Sequence, residues 1–154
     1  EAAEEIIAEA VAKFKKQFSN IQVQVRVPDE LLMVPMDSLL IGQVLMNLME
    51  NAVIHGKTTT CIWLSLMRRG ETAVFEVRDN GVGIAPEKLP HIFEGTLPSD
   101  HFSREDGKRS MGIGLSVCNT IVQAHGGTLT ASNTPEGGAC FSFSLSLTED
   151  DNGQ

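Results

Sequence analysis

Three short runs carry residues whose type and spacing could do chemistry. Asn47-Leu-Met-Glu50-Asn51-Ala-Val-Ile-His55 sets Asn47, Asn51 and His55 four residues apart, so a helix would line them up as one polar stripe opposite an apolar face. Taken alone, that stripe also reads as a solvated face, because Asn costs only about a few tenths of a kcal/mol in a helix. Asp79-Asn80-Gly81-Val82-Gly83-Ile84 follows a strand-like run. It reads either as a plain Asn-Gly turn or as a site in which Asp79 accepts from an exocyclic amine such as that of adenine, while Gly81 and Gly83 let a flat ring approach the backbone. Gly112-Ile113-Gly114-Leu115 opens a helix with glycines. There the free N–H groups and the helix dipole suit phosphate oxygens, although a flexible start to a packed helix has the same spelling.

Two familiar phosphate motifs fail. His55-Gly56-Lys57-Thr58 ends like a P-loop, but Asn51 stands where the first Gly is required and a helix precedes it instead of a strand. Gly81-Val-Gly83-Ile-Ala-Pro86 begins like a dinucleotide fingerprint, but Pro86 replaces the third Gly and no βαβ unit surrounds it.

The elements that must position these runs follow from periodicity. Ile7, Val11, Phe14 and Phe18 predict an amphipathic helix over Glu1 to Phe18, and Ile21 to Val27 alternates as a strand with one buried face. Leu40, Val44, Leu48 and Ala52 predict a second helix from Asp37 to His55, closed by Gly56. Thr60 to Arg68 and Thr72 to Arg78 form a hairpin about Arg69-Gly70-Glu71. The long connection from Asp79 to Met111 reads as a mobile loop or lid, its core being residues 95–111. A helix from Gly112 to His125, with His125 favoured by the dipole, then precedes strands Thr128 to Asn133 and Ala139 to Leu147. These make one α+β domain over residues 1–147, a two-layer sandwich with helices on one face of a mixed, mostly antiparallel sheet; residues 148–154 are a frayed acidic tail.

Twelve Lys and Arg against twenty Asp and Glu leave a net charge of −8, which repels nucleic acid and anionic membranes at long range. Three cysteines without a Cys-x-x-Cys pair offer neither a disulfide framework nor a zinc site, which fits reducing cytosol. No run reaches the roughly 18 apolar residues of a membrane span, so a membrane-anchored parent would carry its anchor elsewhere.

The three runs, in this order and with a long lid between the second and third, resemble the N, G1 and G2 boxes of the GHKL superfamily, and within it the ATP-binding catalytic domain of sensor histidine kinases. Phe93 in His91-Ile-Phe-Glu94 is similar to the F box, and Glu136 to Phe143 to the closing glycine-plus-strand motif. The resemblance runs from about Asp37 to Leu147 and implies a Bergerat-type ATP-binding fold. It implies that Asn51 ligates magnesium, since an amide oxygen suits that hard ion, with Asn47 a neighbouring phosphate or metal-shell contact. Asp79 becomes the adenine anchor, Gly81, Gly83 and Ile84 part of the base pocket with His55 beside it, and Gly112, Ile113, Gly114 and Leu115 the triphosphate cradle.

Glu50 takes the position of an acid that assists the phosphoryl acceptor. Asn47 stands where hydrolysing members such as the gyrase-like ATPases carry a water-activating Glu, and an amide is no general base. Ile54 replaces a usual Lys or Arg, leaving Lys108, Arg109 or Lys57 to supply the charge, and Ser110 replaces a usual Gly. The family's partners would be ATP with Mg2+, a histidine-bearing dimerisation domain and a response regulator. None of His55, His91, His101 or His125 is followed by an acid, so the acceptor lies outside this chain. Other members of the superfamily are ATPases or serine kinases, and a degenerate nucleotide-binding docking module would share the same boxes.

Overall fold

Apolar residues at every second position of the strand runs place one row of side chains inward, and helices cover that row. The structure, a computed structural model, describes residues 1–94 and 110–148, with side chains described from residue 114 in the second stretch. Among these residues the order is α1 (Ala3–Gln17), β1 (Gln22–Arg26), α2 (Ser38–Ile54), β2 (Cys61–Arg69), β3 (Thr72–Asp79), a 3-10 turn (Leu89–His91), α3 (Ser110–Ala124), β4 (Thr128–Asn133) and β5 (Ala139–Ser146). The strands form one sheet in the order β1-β2-β3-β5-β4. Only β1 and β2 run parallel; the other pairs are antiparallel, which gives the mixed α+β sheet.

The inner face presents Ile62, Leu64 and Leu66 from β2, Phe75 and Val77 from β3, and Phe141, Phe143 and Leu145 from β5, all buried. Phe75 and Phe143 stack at 4.7 Å across their paired strands. Each such side chain contributes about 1.5–3 kcal/mol by leaving water. Ile41, Val44, Leu45, Leu48 and Met49 of α2 complete the same core, as do Ile6, Ile7 and Phe14 of α1. The first helix therefore packs on this domain.

Three local expectations change. The strand β1 alternates in sequence but buries little: Val25 is 45% exposed, and Val27, predicted as its last residue, lies just past its end at 36%. It is the sheet's edge, covered by one neighbour only, and period-two alternation does not distinguish an edge strand from a central one. Leu40 is 37% exposed and the inward stripe of α2 starts at Ile41, because Asp37 caps the helix, its Oδ1 accepting from Leu40 N–H at 3.0 Å, and sets the helical phase. Finally, α3 begins at Ser110, a turn's fraction before the glycines. Most of the lid (95–109, with Lys108 and Arg109) and the tail from 149 lie outside the described residues.

Candidate functional site

The C-terminal half of α2, the end of β3 and the start of β5 converge on one concavity. Asn51, His55, Lys57, Val82, Gly83, Ile84, Pro86, Lys88 and Ile92 surround a cavity of about 410 Å³. A smaller recess of about 20 Å³ at Asn51, His55, Asp79, Gly83, Ile84 and Phe141 forms its base. Asn51, His55, Asp79, Gly83 and Ile84, separate in the sequence, thus meet at one place.

Asn51 is 4% exposed, so the polar stripe is no solvated face at this point. Its Oδ1 is buried without a hydrogen-bond partner. A native structure leaves few such atoms unpaired, and an orphaned amide oxygen on a cavity wall is a ready ligand for a hard cation. Asp79, also 4% exposed, ends β3. Its Oδ1 accepts from Gly81 N–H at 2.8 Å and from Ala139 N–H at 3.3 Å. Neither bond uses Oδ2, which leaves an acceptor for an amine. Burial raises the carboxyl's affinity for its proton above the usual range, and the two backbone N–H donors pull it back down.

The imidazole of His55 is shifted the other way. Partial burial, then the ammonium groups of Lys88 and Lys57, lower its pKa. Those two lysines therefore put positive charge at the cavity mouth beside His55, although Ile54, where the usual cation is missing, is itself 37% exposed.

The loop after β3 is mounted on its neighbours. Asn80 Oδ1 accepts from Thr60 N–H at 2.9 Å and Cys61 N–H at 3.2 Å, and Asn80 Nδ2 donates to Thr60 Oγ1 at 2.9 Å. Val82 N–H donates to the Gly56 carbonyl at 3.0 Å. A Cβ on Gly81 would stand 2.5 Å from Gly56 Cα and from Thr59 Oγ1, so only glycine lets this loop lie on the end of α2. Gly83 has φ +83°, and a Cβ there would lie 2.6 Å from the Gly137 carbonyl oxygen. Opposite, Asn133 bonds both polar atoms of Ile84, Oδ1 to its N–H at 2.7 Å and Nδ2 to its carbonyl at 2.9 Å.

The remaining sequence candidates sit around this centre. Asn47, one turn up α2, donates from Nδ2 to Cys118 Sγ at 3.6 Å, and it faces Gly114, whose Cβ position lies 3.8 Å away. It lines neither cavity. Glu50 is half-buried, and desolvation raises its pKa. Leu115 is a core residue at 3% exposure, and as the sixth residue of α3 it has its backbone N–H beyond the unpaired first turn, so neither its side chain nor its N–H is offered to a ligand. Gly112 and Ile113 lie in the first turn of α3. Phe93 packs edge-on against Phe141 at 6.2 Å, which seats the 3-10 turn over the recess. Sequence reading gave no role to Thr59, Asn80 or Asn133. A signal existed only for Asn80, as half of an Asn-Gly pair; the partners of Thr59 and Asn133 are set by tertiary contact.

The sequence profile described as histidine kinase-, DNA gyrase B-, and HSP90-like ATPase matches residues 36–149. The chain belongs to that family. The sensor protein KdpD of Clostridium acetobutylicum is 38% identical over 145 residues, 94% of this chain and 16% of that protein. The chain thus spans about a sixth of that curated relative. The runs Asn47 to Val53, His125 to Thr128 and Asn133 to Phe141 resemble KdpD in the sequence, in agreement with this match. The catalytic domain of histidine kinase ThkA superposes with a TM-score of 0.79 at 26% identity, covering 97% of this chain and 96% of that one. ThkA in complex with the response regulator protein TrrA gives 0.78 at 26% identity, over 96% of this chain and 41% of that one. The family's shared site is an ATP site, and the convergence of Asn51 and Asp79 falls within the matched residues. Among the described residues no helix is long and apolar enough to cross a membrane.

Proposed function

We propose that this chain is the ATP-binding catalytic domain of a sensor histidine kinase and passes the γ-phosphate of ATP to a histidine on a separate dimerisation domain. The observation that carries the reading is the unpartnered, buried Asn51 Oδ1 on the wall of a cavity whose base holds Asp79. Asp79 accepts from the adenine amine through Oδ2, while Gly81 N–H and Ala139 N–H keep its other oxygen in place. Gly83 and Ile84 give the ring its wall.

The residues fit a magnesium ion: Asn51 supplies one hard oxygen. Among the described residues no group of three or more His, Cys, Asp or Glu could hold a metal, and phosphate oxygens and water would complete the set around Asn51. A magnesium ion held there by Asn51 would supply neutralisation of phosphate charge, which phosphoryl transfer requires. Lys57 and Lys88 add charge at the mouth, and the N–H groups of the first turn of α3, that of Gly112 among them, are the ones left to meet phosphate oxygens. Asn47 stands at α3 as an amide, unable to draw a proton from water, which favours transfer over hydrolysis. Glu50, with its raised pKa, assists the acceptor. The acceptor histidine belongs to the parent protein, a membrane-anchored sensor with this domain in the cytoplasm; a response regulator then takes the phosphoryl group, as the ThkA–TrrA complex illustrates for that kinase.

Calorimetric titration of ATP with and without magnesium tests this. Wild type is expected to bind in the micromolar range with magnesium, Asp79→Asn to lose binding and Asn51→Ala to become insensitive to magnesium. Phosphate release at several turnovers per minute by the isolated chain, or no phosphohistidine on an added acceptor domain, would overturn the kinase reading.

A further inference from the structure

The side chain of Asn133 is committed at both ends to one backbone unit. Its Oδ1 accepts from Ile84 N–H and its Nδ2 donates to the Ile84 carbonyl, at 2.7 and 2.9 Å, across 49 positions of sequence. An amide here reproduces what a neighbouring strand would offer, one donor and one acceptor to the same residue. Asn133 is the last residue of β4, an edge of the sheet, and the unit it holds is the wall of the nucleotide cavity. On the far side the same loop is fixed by Asn80 to the start of β2, at Thr60 and Cys61. The loop from Asn80 to Ile84 is thus suspended between two parts of the sheet, and Gly83, at φ +83°, sits against Gly137 O and Asn133 Oδ1.

We propose that Asn133 is the positioning residue of the base pocket: it holds Ile84 and Gly83 at a fixed distance above Asp79, so that the slot for a flat purine ring exists before the nucleotide arrives. This rests on the reading that the cavity takes ATP and adds which residue sets the adenine part of the affinity. A loop ordered in advance spares the entropy of ordering it on binding. The chemistry is specific to the amide. Aspartate keeps an acceptor for Ile84 N–H but sets a carboxylate against the Ile84 carbonyl, and alanine keeps neither bond. Asn133 is itself exposed, so its replacement does not open the core.

Adenosine and Mg-ATP would be titrated into wild type, Asn133→Ala and Asn133→Asp by NMR and calorimetry, with amide hydrogen exchange at Ile84 measured on the nucleotide-free proteins. In Asn133→Ala the Ile84 amide is expected to exchange at least about tenfold faster, and adenosine and ATP to weaken by the same factor, about tenfold, with the melting temperature nearly unchanged. Asn133→Asp is expected to keep more of the Ile84 protection than Asn133→Ala but to recover little affinity. Unchanged adenosine affinity in Asn133→Ala, or an effect on ATP alone, overturns the assignment, as does unchanged Ile84 exchange. Loss of binding together with a large fall in melting temperature reduces Asn133 to a structural residue and also overturns it. Failure of wild type to bind either ligand removes the nucleotide reading and this role with it, whereas wild-type binding with an indifferent variant removes only the role of Asn133.

Discussion

Asp79, the proposed adenine anchor, is a buried carboxylate whose ionisation acts against stability. Burial raises its folded pKa above the unfolded value, so the favourable contribution present below the unfolded pKa is lost as pH rises through the folded one. At neutral pH the carboxylate therefore costs stability. Asp79→Asn, whose amide oxygen can still accept from Gly81 and Ala139, is expected to melt at or above the wild-type temperature at pH 7, with the advantage vanishing below about pH 4, while adenine binding is lost. Calorimetric scans across pH decide it; a variant less stable than wild type at pH 7 would refute the argument.

His55 runs opposite: its lowered pKa gives a contribution present above about pH 6.5 that is lost as pH falls through the folded value. Lys88→Met removes a like charge and is expected to move the His55 imidazole titration upward in NMR, with the part due to burial remaining. At this scale the sequence showed the residue types, but Asn51 reads in it equally as a solvated polar residue. Only the packing around it buries the oxygen.

Helices α2 and α3, on which the proposed phosphate site rests, are latched to each other by His125. Its Nε2 accepts from Asp37 N–H at 3.0 Å, at the cap of α2, and its Nδ1 donates to the Ile121 carbonyl at 2.8 Å in the last turn of α3. His125 stands at the C-terminal end of α3, as the sequence reading has it, and its ring reaches beyond that helix to the cap of α2. His125→Ala frees Asp37 N–H and the Ile121 carbonyl and is expected to cost about 1–3 kcal/mol in urea unfolding. A loss below about 0.3 kcal/mol would mean that water replaces the latch.

The elements themselves were largely legible. The hairpin turns where Gly70 stands, β4 spans Thr128–Asn133, and the helices differ from expectation by one or two residues at their ends, where caps and fraying decide. Exposed β1 was not legible, since its alternation says which residues share a face and nothing about what covers that face.

For the whole molecule, α1 belongs to the core: Ile6, Ile7 and Phe14 are each at most 6% exposed. At about 1.5–3 kcal/mol each, their loss rivals the net stability of about 5–15 kcal/mol typical of a domain. Deleting residues 1–19 is expected to abolish the cooperative thermal transition seen by circular dichroism; a truncated chain that still melts cooperatively within a few degrees of wild type would contradict the packing.

The sequence by itself determined the periodic elements, the α+β class and the three site runs, because strand and helix periods, glycine turns and cap residues act over a few neighbours. The tertiary structure alone decided that Asn51 is buried with a free oxygen, that Asn133 grips Ile84 and that His125 joins two helices. Those contacts span up to 88 positions and are selected by how the layers pack, a choice that no local pattern encodes.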